Sequence, residues 1–149
     1  MGSHDPDCFI CQKHQGLKDI PGGAIFQDEL IYSGHAWPQE GDEEVYSGGC
    51  IVEPKRHVDS WAELSDAEAG RVGVAVRDIA RALKQSEGAE HVYVFVLGHH
   101  ISHLHIWVVP RYPDTPREYW GLQLFEWPQR PLATAGDVAA LSSRLRAVL

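Results

Sequence analysis

At 149 residues, with 44% hydrophobic and 23% charged side chains, the chain has one domain's length and an ordinary globular composition. A net charge of −8 argues against a nucleic-acid polymer as ligand, because phosphate backbones are gripped by clustered Lys and Arg. No apolar run approaches the roughly 20 residues that cross a bilayer.

The start of the chain lacks the basic and apolar regions of a signal peptide. Three cysteines are an odd number for a disulfide scaffold, so a cytoplasmic protein without a membrane partner is expected. A small nucleotide, which a few oriented donors can hold, stays within reach. One domain over residues 1–149 is expected, with residues 1–6 disordered or partly tag-derived. Met1-Gly-Ser-His4 reads as a tag remnant and is given no role.

Asp7-Cys8-Phe9-Ile10-Cys11 holds a CxxC that alone fits redox chemistry, a metal or no function. No thioredoxin-like βαβ pattern accompanies it, which lowers the redox reading, and zinc needs two more ligands. After a polar stretch and a glycine-rich loop (16–23), residues 24–27 and 29–32 read as a short hairpin. Residues 34–49 read as a loop whose acidic middle, Glu40-Gly-Asp-Glu-Glu44, is a solvated excursion.

Cys50-Ile-Val-Glu-Pro54 is a strand that ends at proline and delivers Lys55-Arg56-His57, with Cys50 a small buried hydrophobe. Ser65-Asp-Ala-Glu68 is a capping box. Apolar residues at helical spacing follow, predicting a helix over about 66–85 that ends near Gly88. Residues 91–97 form a strong strand, and the turn 98–102 leads to a second, the two pairing antiparallel at the sheet centre.

That second strand holds the densest chemistry. His103, His105 and Trp107 alternate with Leu104, Ile106 and Val108, so both imidazoles share a face with the indole while the aliphatic residues face a core. Pro110 is expected to stop the ladder. The two histidines alone fit satisfied buried side chains, a metal clip, or a nucleophile with its support. Pro113, Pro116, Pro128 and Pro131 punctuate an aromatic stretch (Tyr119, Trp120, Phe125, Trp127) suited to a pocket or a subunit contact. Residues 138–149 close the chain as a helix with an apolar stripe at Leu141, Leu145 and Val148.

The order of CxxC, early hairpin, Glu53-Pro-Lys-Arg-His57, capped helix and His103-Leu-His105-Ile-Trp107-Val-Val-Pro110-Arg111 resembles the histidine triad (HIT) superfamily, in a zinc-bearing branch. The resemblance covers Asp7 through Arg111. It implies an α+β, HIT-like fold with a mainly antiparallel sheet of about five strands, one long helix and a C-terminal helix, usually a homodimer. It implies a nucleotide hydrolase or nucleotidyltransferase acting at an α-phosphate through a covalent nucleotidyl-histidine, with His105 the nucleophile and a small nucleotide-type substrate. The metal ligands carried over are Cys8, Cys11, His57 and His103, a closed Cys2His2 set for structural Zn2+. The rival leaves the cysteines free and His57 and His103 as hydrogen-bonding side chains.

Physical chemistry supports the role of His105. A neutral imidazole can attack phosphorus through one nitrogen while the other donates to a carbonyl that fixes the tautomer. Gly98, Ser102 and the turn amides are candidates to hold the phosphoryl oxygens. His99, in place of the usual glutamine, and His100 are candidates for phosphate donor or general acid, weighed against two exposed turn histidines. His103 and His99 join His105 as catalytic candidates.

Trp107 stands at the third histidine position of the motif. An indole has one donor and cannot accept a proton, so phosphate contact there is weakened and stacking on a base or leaving group becomes available. His35 aligns with the aspartate that holds ribose hydroxyls and is carried as a substrate-binding candidate beside Gly98, His100, Ser102 and Trp107. Arg117 is read as a surface salt bridge. Hydrolysis is favoured over transfer. The alternatives are a HIT-fold protein impaired in catalysis that binds or assists biosynthesis, or a HIT-fold enzyme acting on a non-nucleotide substrate.

Overall fold

The computed structural model describes residues 4–38 and 41–149. Met1, Gly2 and Ser3 of the tag-like start and Glu40 of the acidic loop lie outside the described residues. The framework is a five-stranded antiparallel sheet made of β1 (Ala24–Gln27), β2 (Ile31–His35), β4 (Cys50–Pro54), β5 (His91–Phe95) and β6 (Ile106–Arg111). Their order is β1-β2-β4-β6-β5. Two further strands, β3 (Val45–Tyr46) and β7 (Leu132–Ala133), pair with each other.

The helix α2 (Asp66–Glu87) starts where the capping box places it: Ser65 Oγ accepts from the Glu68 amide, and Glu68 reaches back to the Ser65 amide. It stops at Gly88, whose φ of 72° is the left-handed conformation that glycine adopts freely. The last helix, α3 (Ala135–Val148), begins before residue 138 because Thr134 and Asp137 form a capping box of their own. Val148, expected in its apolar stripe, is exposed, and Val138 packs inward instead.

These helices cover one sheet face. Cys50 and Val52 of β4, and Ile106 and Val108 of β6, pack there with Val72, Ile79, Leu83, Leu141 and Leu145. Register then sets the opposite face. Tyr32 pairs with Glu53 and Ile51 with Trp107, so these side chains point away from α2. A short helix not anticipated from the sequence, α1 (Phe9–His14), lies toward that second face; Ile10 and Cys11 are its buried residues. Asp5 and Pro6, in the stretch expected to be disordered, are bonded to it through Cys8 N–H to Asp5 O at 3.1 Å and Gln12 Nε2–H to Pro6 O at 2.7 Å.

Three strand expectations need correction. The β5–β6 pair is antiparallel as expected, but β4 is central and β5 is the outer strand. Pro110 does not stop the ladder, since β6 runs on to Arg111 and pairs Pro110 with Val92. Beyond Val108 no β4 residue pairs with β6, so a strand with one neighbour tolerates a missing amide donor. The strand ladder also starts at Ile106 rather than His103. The alternation nevertheless extends back, because Leu104 N–H donates to Val58 O at 2.7 Å and its side chain enters the core.

Glu68 links α2 to the strand end. Arg56 Nη2–H donates to its carboxylate at 2.8 Å, and this bond, ahead of the capping bonds, holds the carboxyl down at about 2 despite its burial. An unfolded glutamate titrates at about 4.3, so the folded state gains full stabilisation above that pH and loses it as pH falls toward 2. Glu68→Gln is expected to lower the unfolding free energy by roughly 1–2 kcal/mol near pH 7. In urea unfolding series, the gap to the native chain should close between about pH 4.3 and pH 2.

Candidate active site and metal cluster

His105 immediately precedes β6, on the sheet face away from α2. Its Nδ1–H donates to the carbonyl of His103 at 2.7 Å, which fixes the tautomer of the neutral ring with the lone pair on Nε2. The half-buried ring lines a cavity of about 410 Å³. Trp107 follows two residues later on the same face and lines the same cavity, its ring centroid 6.4 Å from that of His105. Phe95 stacks on Trp107 at 6.0 Å and Phe125 meets it edge-on at 6.3 Å. The indole is thus packed into an aromatic wall rather than left free to swing.

Cys8, Cys11, His57 and His103 come together beside this cavity, their ligand atoms all within 4.8 Å of one another. Cys11 Sγ lies 3.4 Å from His57 Nδ1 and 3.5 Å from His103 Nδ1, and Cys8 Sγ lies 3.6 Å from His103 Nδ1. A tetrahedral site with bonds of about 2.3 Å to sulfur and 2.0–2.1 Å to nitrogen has S···N edges of roughly 3.5 Å, so the donor set fits a four-coordinate ion. His103 Nε2–H donates to Pro54 O at 2.7 Å, which leaves Nδ1 as the lone-pair nitrogen facing the sulfurs. Burial pushes His103 down to about 4, so its imidazole is neutral. Cys8 is also the N-cap of α1, where its sulfur accepts from the Cys11 amide.

The other sequence candidates lie elsewhere. His35 sits on β2 opposite Cys50, which is the helix-facing side of the sheet, and is 2% exposed. Its Nδ1–H donates to Ala36 O and its Nε2 accepts from Gly48 N–H, each at 2.9 Å, while burial lowers its pKa. Both ring nitrogens are spent on bracing the loop, so His35 is corrected from a substrate contact to a loop support. Gly48 has φ 88°, and a Cβ there would meet Pro110 Cγ at 2.7 Å, so this bracing needs glycine. Gly98, His99, His100 and Ser102 lie exposed in the turn and do not line the cavity. Arg117, read as a salt bridge, instead lays its guanidinium over Trp120 at 4.7 Å.

The cavity also recruits residues that the sequence reading missed. Lys13 Nζ donates to Glu53 Oε1 at 2.7 Å and His14 Nε2–H donates to Glu53 Oε2 at 2.7 Å. Glu53 and Lys13 line the cavity, and Glu53 is only 2% exposed. Burial would raise the Glu53 carboxyl, but Lys13 and His14 outweigh it and hold the group below its usual range. One sign was available: a charged residue inside the otherwise apolar strand 50–54 demands a buried partner. Phe125, Arg130 and Leu132 from the proline-rich stretch form another part of the wall, as its aromatic composition suggested.

The HIT domain family model matches residues 42–114, which include His57 and the whole histidine motif. Solved histidine triad structures share the fold. A Zn-bound histidine triad family protein from Mycobacterium smegmatis superposes with a TM-score of 0.70, at 18% identity, over 95% of this chain and 94% of its own. The chain is similar to the HIT family over residues 42–114 and shares the fold of its solved members.

A hypothetical histidine triad nucleotide-binding protein from Sulfolobus tokodaii gives a TM-score of 0.71 at 17% identity, covering 95% of this chain and 91% of its own. Among curated proteins, the "Protein hit" of Bacillus subtilis is 28% identical over 113 residues, 71% of this chain and 72% of that protein. In this chain His103 and His105 use their ring nitrogens differently. The first turns both ring nitrogens to structure; the second keeps one nitrogen for the cavity.

The cluster geometry sets a direct expectation. Elemental analysis of the purified protein should find one divalent metal ion per chain, and Cys11→Ser or His57→Ala should reduce that content to near zero while lowering the melting temperature. Four ligands that stayed metal-free through reconstitution would show that the cluster is only a hydrogen-bonded knot.

Proposed function

We propose that this HIT protein is a nucleotide hydrolase or nucleotidyltransferase whose nucleophile is His105. The supporting observation is the ring itself: Nδ1–H is committed to the His103 carbonyl at 2.7 Å, and the imidazole borders a cavity of about 410 Å³. In the first step Nε2 forms a bond to the α-phosphorus, the bond from phosphorus to the leaving group breaks, and the leaving group departs with the electron pair and takes up a proton. In the second, a water oxygen bonds to phosphorus, the N–P bond breaks, and the nucleoside monophosphate leaves while the water proton passes to solvent. Hydrolysis is preferred because water is always at hand and no acceptor site is legible.

The ion proposed for Cys8, Cys11, His57 and His103 is zinc, in a structural role. Cys8, Cys11, His57 and His103 would hold it as a four-ligand set, and it would supply a fixed anchor for α1 and for the carbonyl that orients His105. The compartment proposed is the cytoplasm, supported by three buried free cysteines. A homodimer is proposed through the outer edge of β5, near which Val94, Val96 and Leu97 are exposed. Trp107 favours a second reading in which the site binds without efficient turnover, since its aromatic packing displaces a motif imidazole.

Intact-mass spectra after rapid quenching separate the two. With a panel of nucleoside phosphoramidates, dinucleotides and nucleotide sugars, the native protein should carry an acid-labile nucleotidyl adduct, and His105→Ala should carry none and turn over at least about 1,000-fold more slowly. Turnover by His105→Ala at the native rate would discard the covalent mechanism.

A further inference from the structure

The charge that builds on phosphoryl oxygens during attack must be met by donors. In this cavity the expected suppliers are missing: the turn residues 98–100 and 102 do not line it, and Trp107 offers one indole N–H. The side-chain cations that do line it are Lys13 and Arg130. Arg130 comes from the segment after Trp127, whose carbonyl accepts from its Nη1 at 3.0 Å.

Lys13 is differently placed. Its partner Glu53 follows Val52, the last β4 residue paired with β6, and His105 precedes Ile106, the residue paired with Val52. Glu53 and His105 are therefore next neighbours on one sheet face. The lysine ammonium has three donors. One goes to Glu53 at 2.7 Å, and the group lies 4.8 Å from the centre of the Tyr32 ring. With a side chain only 7% exposed, it is held in place rather than waving in solvent. A lysine steadied by a buried glutamate and offered to phosphate oxygens is the arrangement that protein kinases use.

The geometry points to Lys13 as the phosphate-binding cation of this site, oriented by Glu53 and standing in for the donor that Trp107 cannot supply. Glu53 acts as a positioning residue: its carboxylate is filled by Lys13 and His14 and does not meet substrate. This inference rests on the nucleotide reading above for the identity of the substrate, and it separates from that reading experimentally.

Two readouts decide it. In titration calorimetry the native protein should bind a nucleoside monophosphate at least about 10-fold more tightly than the same nucleoside without phosphate. Lys13→Met should erase that advantage while leaving nucleoside affinity unchanged; Lys13→Arg should retain most of it. In rapid-quench labelling, Lys13→Met should slow adduct formation by about 100-fold, with the larger part in the rate at saturation.

Lys13→Met with Glu53→Gln serves as the control for a fold disturbed by an unpaired carboxylate. It should melt near the native temperature and still lack the phosphate advantage. Equal affinity of the native protein for nucleoside and monophosphate, or full phosphate preference in a folded Lys13→Met protein, would overturn the assignment. Phosphate preference that depends on Lys13 without any adduct would keep the lysine's role and overturn the covalent reading instead.

Discussion

One residue, His103, carries the constraint from which the site is built. Its Nε2 donates to Pro54 O, its Nδ1 faces two sulfurs at 3.5 and 3.6 Å, and its backbone carbonyl receives the Nδ1–H of His105. The same residue thus closes the Cys2His2 cluster and sets the tautomer of the His105 ring. Strand alternation makes this possible, because residues two apart share a face and stand about 6.6 Å apart, close enough for one to orient the other. Loosening the cluster therefore does more than free the first residues of the chain. It removes the fixed carbonyl on which the direction of the His105 lone pair depends.

A second constraint is the carboxylate buried in β4. Glu53 is 2% exposed in a strand whose five residues are all buried, and its charge is tolerated only because two α1 side chains reach it. Such a pair adds little stability over an apolar packing of the same volume. Its effect is on specificity of docking. A six-residue helix has no stability of its own. α1 exists because Cys8 caps it, Ile10 and Cys11 bury their side chains, and Lys13 and His14 are called to one point of the sheet. The N-terminal segment is thereby set at the cavity edge with its last turn facing Glu53.

Much of this was legible in the sequence where a local rule decides the structure. The Ser65 capping box placed the start of α2, Gly88 its end, and period-two alternation the faces of residues 103–108. The cluster of Cys8, Cys11, His57 and His103 was carried over from the family resemblance, and the fold brings these four side chains together. What escaped depends on pairing that no local pattern encodes. The centre of the sheet falls on β4 because β2 and β6 flank it, and a strong run of β formers in β5 says nothing about its outer position. His35 falls in residues 34–49, read as a loop, but β2 extends through it and pairs it with Cys50, so parity turns its ring to the helix side. Lys13 escaped because a single charged residue in a polar run gives no sign of what lies across space from it.

The segment after Arg111 connects these local facts to the shape of the cavity. Arg111 holds Tyr93 Oη at 2.8 Å and lies 3.5 Å from the Trp120 ring centre, while Arg117 lies 4.7 Å from that same ring. This stack ties residues 117–120 to the end of β6. Leu124 is then fully buried against Tyr46 and Val109, which fixes where its neighbour Phe125 enters the cavity wall. Phe125 and Phe95 in turn enclose Trp107. Trp107 needs such an enclosure, because an unsupported indole would expose a large apolar surface beside the His105 ring. The indole of Trp107 and the aromatic C-terminal wall are therefore one packing solution, and the proposed burden of meeting charge falls on the side of the sheet where α1 lies.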